Sequence, residues 1–420
     1  IIDHTEFMHI PDAEGRKLVV YCDPDRLEAH LKEISPADTR HIEALTAGIR
    51  KFKSFDMSVL QSKPRSLMNL DDWRAFGQAM TPFLAPLMQW GRVSASDFAA
   101  RFKDPFLQRA IPQMFAWTEI PMMVGMSLLA YMDNRNAGFP QGASLEFARA
   151  IEKRYLALGG QIDYNAQVEK ILVKDGKATG VRLYNDEVHH AEVIISACDG
   201  RGTIFDLLDG EFTNRRIRRM YAGHLPIRSQ VQVSYGVDRD LSGEPHWQTY
   251  LLDEPLLITG EERHELGIKH YCFDPSLAPA GKSAIICMLP SDYGYWQRIY
   301  GRRLYDKEQD QVSEIVLDFL EEQYPGLKGQ VEFIDEATPL SYERYTGSWE
   351  GATTGWLLTK DTMMMMVSGV KKTLPGLDNF YLAGQWVEPG GSVPIVAMSG
   401  RNVIQLLCHA DGKEFIATTV

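Results

Sequence analysis

Cysteine is scarce here. Five residues (Cys22, Cys198, Cys272, Cys287 and Cys408) are scattered through 420, none in a C-x-x-C pair. An odd, dispersed set excludes a disulfide framework and reads as free thiols of a reducing compartment. Positive charge is also in deficit, with 44 Lys and Arg against 56 Asp and Glu and a formal net charge of −12. Phosphate backbones attract basic surfaces, so nucleic acid is excluded as the natural partner, and the acidity serves solubility. No G-x-S-x-G, P-loop or G-x-G-x-x-G spacing occurs. The first two absences remove the hydrolase and nucleotide-phosphatase readings. Long apolar runs are missing as well. The nearest, Phe115 to Met132, is broken by Glu119 and Pro121, whereas a spanning helix needs about 18–20 apolar residues. A core helix and a segment lying on a membrane surface both remain open for it. The polar opening, with Asp3, His4 and Glu6, does not read as a secretory signal. The expected location is the cytoplasm, with peripheral membrane contact as the variant to test.

What is present is an ordinary globular composition, 45% hydrophobic and 24% charged, in a chain long enough for two or three domains. Phe7 to Ile10 and Lys17 to Tyr21 flank PDAEG as a hairpin, and Asp23-Pro24 and Ser35-Pro36 each start a helix. Leu67 to Met132 is helical and rich in Met, Phe and Trp; such a block is either plain core or an adaptable lining for a long apolar ligand. A helix follows with Ser144 as N-cap and Leu145, Ala148, Ile151, Tyr155 and Leu158 as its buried face. Gln161 to Tyr164 reads as a short strand. Asp175-Gly176 is a two-residue hairpin signal between Val168 to Lys174 and Lys177 to Tyr184. Val193 to Ala197 (VIISA) reads as a buried parallel strand. Gln230 to Val237, Trp247 to Leu252, Lys269 to Phe273 and Ser283 to Leu289 suit a separate antiparallel sheet, and Asp306 to Tyr324 an amphipathic helix. With no linker or repeat, the domains are expected to interleave.

The strongest site signal is FYLAGQWVEPGGSVPIVAMSGRNVIQLL, Phe380 to Leu407. A hydrophobic strand ends at Gly384, crosses a Pro-Gly-Gly loop and enters a helix. Glycines let a polar ligand approach backbone N–H groups, and the helix start adds a positive dipole end, which suits a phosphate or an electron-rich ring. A strand–helix connection whose glycines only make the turn is the equal alternative. His189-His190 lacks further ligands at metal spacing and reads as a solvated pair, so no metal site is expected.

This stretch resembles the C-terminal FAD motif of the phytoene desaturase and retinol saturase family. PQGASLEFARAIEKRYLALGGQIDYNAQVEKILVKDGKATGVRL, VIISACDG, FDPSLAPAGK and ATPLSYERYTGSWEGATTGW resemble further blocks of that family, in the same order. The resemblance implies an α/β fold: an FAD-binding Rossmann-type, glutathione-reductase-like domain, incomplete here, interleaved with an α+β substrate domain. Residues 1–139 and 205–344 would form the substrate domain, and 140–204 and 345–420 the FAD-binding domain. It further implies that Val168 contacts the adenine side of FAD and that Ala197 lies near the pyrophosphate. Gly384 and Gln385 would approach the phosphates, and Gly391, Ser392, Val393 and Pro394 would lie against the flavin ring. The implied activity is desaturation or saturation of carbon–carbon bonds in an apolar, isoprenoid-like small molecule, by hydride transfer with the flavin N5. Glu388, the acid of the ring-facing loop, is the candidate proton carrier, with a solvated loop acid as the alternative.

Two departures qualify this. Trp386-Val387-Glu388 stands where family members often carry a Gly-Thr-His-like stretch. The G-x-G-x-x-G unit that would grip the pyrophosphate is absent, so these residues alone are expected not to hold FAD. An amine-oxidising flavoenzyme is a rival, although its last motif usually reads Gly-Glu where Gly384-Gln385 stands here. A non-catalytic binding or regulatory paralogue is another.

Overall fold

A computed structural model describes residues 1–56, 59, 62–115, 118–363, 365 and 369–417. Strands β1 (Glu6–Pro11) and β2 (Lys17–Tyr21) open the chain; β3 (Val168–Lys174), β4 (Lys177–Leu183), β5 (Val188–His190) and β6 (Ile194–Ser196) follow its first helices. Strands β7 (Gln230–Val237), β8 (Trp247–Ile258), β9 (Glu261–His270), β10 (Ser283–Pro290) and β11 (Val331–Ala337) come next, and β12 (Phe380–Leu382) is last. The chain divides into two compact units that alternate along the sequence. One holds Ile1–Phe55, Pro86–Gln161 and Gln230–Leu340; the other holds Asp56–Ala85, Ile162–Ser229 and Ser341–Val420.

In the first unit a seven-stranded sheet runs β11-β7-β10-β9-β8-β1-β2. The expected antiparallel sheet is therefore larger than the sequence suggests: the opening hairpin joins it, with β1 parallel to β8 at His9 and Gln248. The third expected strand, Lys269 to Phe273, instead runs as Glu261–His270. Residues of β7 alternate buried and half-buried, the period-2 pattern of a sheet packed hardest on one face. Helix Tyr305–Gln323 lays Val312, Val316, Phe319 and Leu320 on that core, and the Tyr235 hydroxyl donates to the Ser313 carbonyl at 2.6 Å. The Met-rich helix Met122–Asp133 buries Met122, Met126, Leu129 and Met132. Phe115 and Ile120 before it are buried too. The described part of Phe115 to Met132 is thus core, which withdraws its apolar side chains from a membrane surface. Ala116 and Trp117 lie outside the described residues, as do Met364 and Met366.

Two expectations fail in this unit and at its edge. Helix Ala143–Ala157 is capped by Gly142 rather than Ser144 and buries none of its residues. Leu145 is 58% exposed, Ile151 57% and Leu158 68%. Periodicity marks which face is apolar, not what lies over it. Gln161 to Tyr164 forms no strand, because no neighbour offers it a ladder.

The second unit contains a three-stranded sheet, β3-β4-β5, and a parallel pair, β12-β6. Asp175 (φ 51°) and Gly176 (φ 74°) both take the left-handed conformation that a tight two-residue hairpin turn requires. That turn docks against the start of the last strand: Asp378 N–H donates to Gly176 O and Ala178 N–H to Asp378 O. Among the described residues the observed boundaries differ from those expected. Asp56–Ala85 and 205–229 go with the parallel pair, and helix Ala143–Ala157 goes with the large sheet.

Candidate functional site

The site is built on two adjacent strand ends. Ile194, Ile195 and Ser196 pair in parallel with Phe380, Tyr381 and Leu382, so VIISA and FYLAG share one sheet. The ladder continues one residue further, where Ala383 N–H donates to Ser196 O at 2.9 Å. Both strands then end on the same side, at Ala197 and Gly384. Gly384 turns out of the sheet at φ 96°, where a Cβ would stand 3.6 Å from the Ala197 carbonyl oxygen.

The loop after Gly384 is fastened through its backbone N–H groups. Gly384 N–H donates to Ser399 Oγ at 2.7 Å, Gly390 N–H to Trp356 O at 2.9 Å and Gly391 N–H to Glu388 O at 3.2 Å. These glycine donors are therefore already engaged, by the following helix, by Trp356 and by the loop itself. Gly391 (φ 51°) passes so close to Thr354 that a Cβ would meet its carbonyl oxygen at 2.2 Å. Trp356 Nε1 donates to Trp386 O at 3.2 Å, and Trp349, Trp356, Trp386 and Tyr221 pack ring against ring around the loop.

The free donors lie one step further on. Helix Val393–Ala410 begins with Pro394 in its first turn, and Ser392, extended at φ −72°, makes no side-chain cap bond. Ser392, Val393 and Pro394 are exposed. An 18-residue helix whose first turn is uncapped presents N–H groups and the positive dipole end outward. This end suits an anion or an electron-rich ring.

Glu388 is not a solvated loop acid. It is buried, and its Oε1 lies 2.5 Å from Lys372 Nζ, itself only 10% exposed at the side chain. Arg65, whose pKa burial lowers, faces the same carboxylate. A carboxylate clasped by an ammonium is first of all a fastening for the loop. Val168 opens β3 opposite Leu183, half-buried, on the three-stranded sheet rather than the parallel pair. The structure thus gathers Ala197, Gly384 and Gln385 at the strand ends and runs from them through Gly391 to Ser392, Val393 and Pro394. Val168 stands apart.

Residues outside the expected set also hold the site. The Asp199 carboxylate accepts from Gly202 N–H at 2.7 Å and from Trp349 N–H at 2.9 Å, and burial pushes its pKa up. The N-cap-like spacing Asp199-Gly200-Arg201-Gly202 after a strand is a legible signal for it. Lys372 and Thr354 carry no such signal, since only the folded chain brings them to the loop. No cluster of His, Cys, Asp and Glu fit for a metal occurs among the described residues. Nor, among them, is any helix long and apolar enough to cross a membrane.

No family model matches the chain. Curated proteins do. It is 25% identical over 324 residues to a prolycopene isomerase of Daucus carota, covering 73% of this chain and 51% of that protein. It is 24% identical over 422 residues to a lycopene-forming phytoene desaturase of Pseudescherichia vulneris, covering 94% and 80%. The chain spans about half the length of the prolycopene isomerases it matches. Among solved structures, a putrescine oxidase variant superposes with a TM-score of 0.58 at 12% identity, covering 97% of this chain and 82% of that one. An oxidoreductase from Methanosarcina mazei gives 0.54 at 17%, covering 96% and 82%. At those identities the structural likeness speaks for the fold alone, a mixed α/β architecture. The sequence likeness is to carotenoid desaturases and isomerases.

Proposed function

We propose that the chain works as an FAD-dependent oxidoreductase acting on carbon–carbon bonds of an apolar, carotenoid-like small molecule. The observation that carries this reading is the descent from paired strand ends at Ala197 and Gly384 to the open helix start at Ser392. Relatives named as phytoene desaturases and prolycopene isomerases supply the substrate class. The residues fit a flavin in part. Exposed first-turn donors at Ser392 and Val393 suit the electron-rich edge of the ring, and Ala197, Gly384 and Gln385 suit the polar middle of the cofactor. The glycine N–H groups are already spent on protein acceptors, so the service of these residues is shape: absence of a Cβ at Gly391 keeps the loop close to Thr354. Bound FAD would supply a hydride acceptor or donor at its N5. This chain's residues bind and orient it, and the buried Trp cluster fixes the loop that does so. Glu388 is proposed as a positioning acid, with Lys372 holding its carboxylate in place. Val168 is proposed for the adenine side.

The experiment is a titration of the purified chain with FAD, carried to concentrations that detect the weak binding expected without a G-x-G-x-x-G unit, followed by flavin fluorescence quenching, beside a Val393→Asp variant. A negative charge at the helix start neutralises the positive dipole end and repels an anionic or electron-rich ligand. Binding weakened at least tenfold by Val393→Asp supports the site; binding that ignores it sinks the assignment. Chromatographic analysis of a phytoene-type polyene incubated with flavin-loaded protein then tests the substrate class, and an unchanged polyene under both oxidising and reducing conditions would refute it.

A further inference from the structure

Helix Ala143–Ala157 buries none of its residues, so little apolar packing holds it to the rest of its unit. Its start is tied down instead. Gly142 N–H donates to Asp274 Oδ2 at 2.7 Å, and Asp274 Oδ1 accepts from the Ser276 hydroxyl and N–H. Three residues upstream, Phe139 and Ile2 exchange two backbone hydrogen bonds, at 2.7 and 2.8 Å. Rings join these two ties. The Phe139 ring meets Phe273 edge to face at 5.0 Å, and Phe273 meets His4 in the same way at 4.5 Å. His4 in turn stacks on His246 at 4.0 Å, the two planes 17° apart. The strap Ile2 to His4, the loop from Phe139 to Gly142 and Asp274 thus form one contiguous assembly that ends on a pair of imidazoles. All of it lies in the sheet unit, and the helix it holds leads to the crossing at Gln161.

We propose that the His4–His246 stack is a proton-operated latch: protons taken up there release the strap and the loop together and free the start of the helix. Neutral imidazoles stack face to face, whereas two protonated ones would put like charges 4.0 Å apart. The surroundings add to that repulsion. Lys269 and His270 of β9 and His9 of β1 all face His246, and His9 is itself held by Glu6 at 2.7 Å. Asp3 stands beside His4 and favours its charge, but burial outweighs it. His270 lies 3.1 Å by its Nε2 from the Glu244 carbonyl, with Glu244 and Asp240 as its nearest carboxylates. It belongs to β9 and stays in place when the strap leaves. In the closed latch burial lowers the pKa of His4, and that of His246 to about 3. Once released, both rings return to the ordinary value near 6.5. The latch is therefore shut above that pH, and each proton favours its opening as pH falls below it. Asp274 does not take part in this titration. Its hydrogen bonds to Ser276 and Gly142 hold its pKa below the usual carboxylate range, so its grip on Gly142 stays charged throughout.

Amide hydrogen exchange of the full chain, read by NMR between about pH 7.5 and 5.5 and corrected for intrinsic rates, tests this. The amides of Ile2, Phe139 and Gly142 should lose protection in parallel, about tenfold for one proton taken up and about a hundredfold for two. Those of β7 should keep theirs. His4→Phe/His246→Phe should abolish the fall, and His246→Phe alone should leave at most about tenfold. His246→Gln takes up no proton either. It should start less protected and show the same reduced slope, so a packing fault in the aromatic variants does not decide the matter. His264→Phe, at an exposed histidine of β9, should behave as the unmodified chain. Protection that ignores pH, that falls equally in β7, or that is lost at different pH in strap and loop overturns the proposal. So does a fall that survives in the double variant or disappears in His264→Phe. No flavin or substrate is needed, so failure here leaves the oxidoreductase reading untouched.

Discussion

Lys372 and Glu388 illustrate how a residue's surroundings decide its role. Either charge alone would be costly in that buried place; together they form an ion pair under the loop. Lys372→Met should therefore destabilise the protein, by up to about 3–5 kcal/mol, because it takes the ammonium from a buried carboxylate and leaves Arg65 to face it. Lys372→Met/Glu388→Leu should recover most of that loss. Urea unfolding of the three proteins measures both, and equal stability of wild type and Lys372→Met would show that the pair carries no load. His246 makes a second case. Its ring stacks on His4 at 4.0 Å, and burial, with His4, His270, Lys269 and His9 nearby, lowers its pKa to about 3. Burial lowers His4 and His270 as well. The unfolded chain takes up these protons near pH 6.5 while the folded chain resists, so acid favours unfolding. Stability is fully present above that pH and falls below it, by about 1.4 kcal/mol per pH unit for each histidine kept neutral. His246→Phe should flatten this slope in unfolding curves taken between neutral and mildly acidic pH, and an unchanged slope would clear His246 of the effect.

At the scale of elements, the loop from Gly384 to Ser392 and the helix Ala143–Ala157 make opposite predictions. Gly391→Ala meets both a left-handed backbone and a carbonyl oxygen 2.2 Å from the new Cβ. It should cost at least about 1–3 kcal/mol and displace the loop. Gly384→Ala has room beside Ala197 and faces only the conformational penalty. Thermal unfolding of the two variants should rank them in that order. By contrast Leu145→Ser/Ile151→Ser, on an exposed face, should shift stability by only about 0.5 kcal/mol or so. A large loss would mean that something covers this face in solution. The sequence shows where these elements are more readily than what they touch. Asp175-Gly176 announces its turn because the turn geometry admits few residues, and FYLAG announces its strand end because glycine follows an apolar run. Helix Ala143–Ala157 shows its apolar stripe plainly, yet the stripe is silent about exposure. Lys372, Thr354 and the tryptophan cluster were invisible because their pairings are made by tertiary packing rather than by spacing.

At the scale of the whole molecule, the chain passes between its two units repeatedly, at Phe55, Ala85, Gln161, Ser229 and Leu340. The large sheet takes its far edges from β2 and from β11, the latter ending at Ala337. The parallel pair waits for Phe380. Neither unit can therefore be finished early in synthesis. A nascent chain emerging in order must hold β1 and β2 beside an unfinished sheet, and VIISA without its partner, until nearly all of it has been made. Distant pairing of this kind slows folding and prolongs the time during which apolar strand edges are bare. Production of this protein should accordingly be sensitive to translation rate and to chaperone supply, more so than its finished stability would suggest. The soluble yield at slowed and normal translation, compared with the unfolding free energy of the purified product, measures that separation.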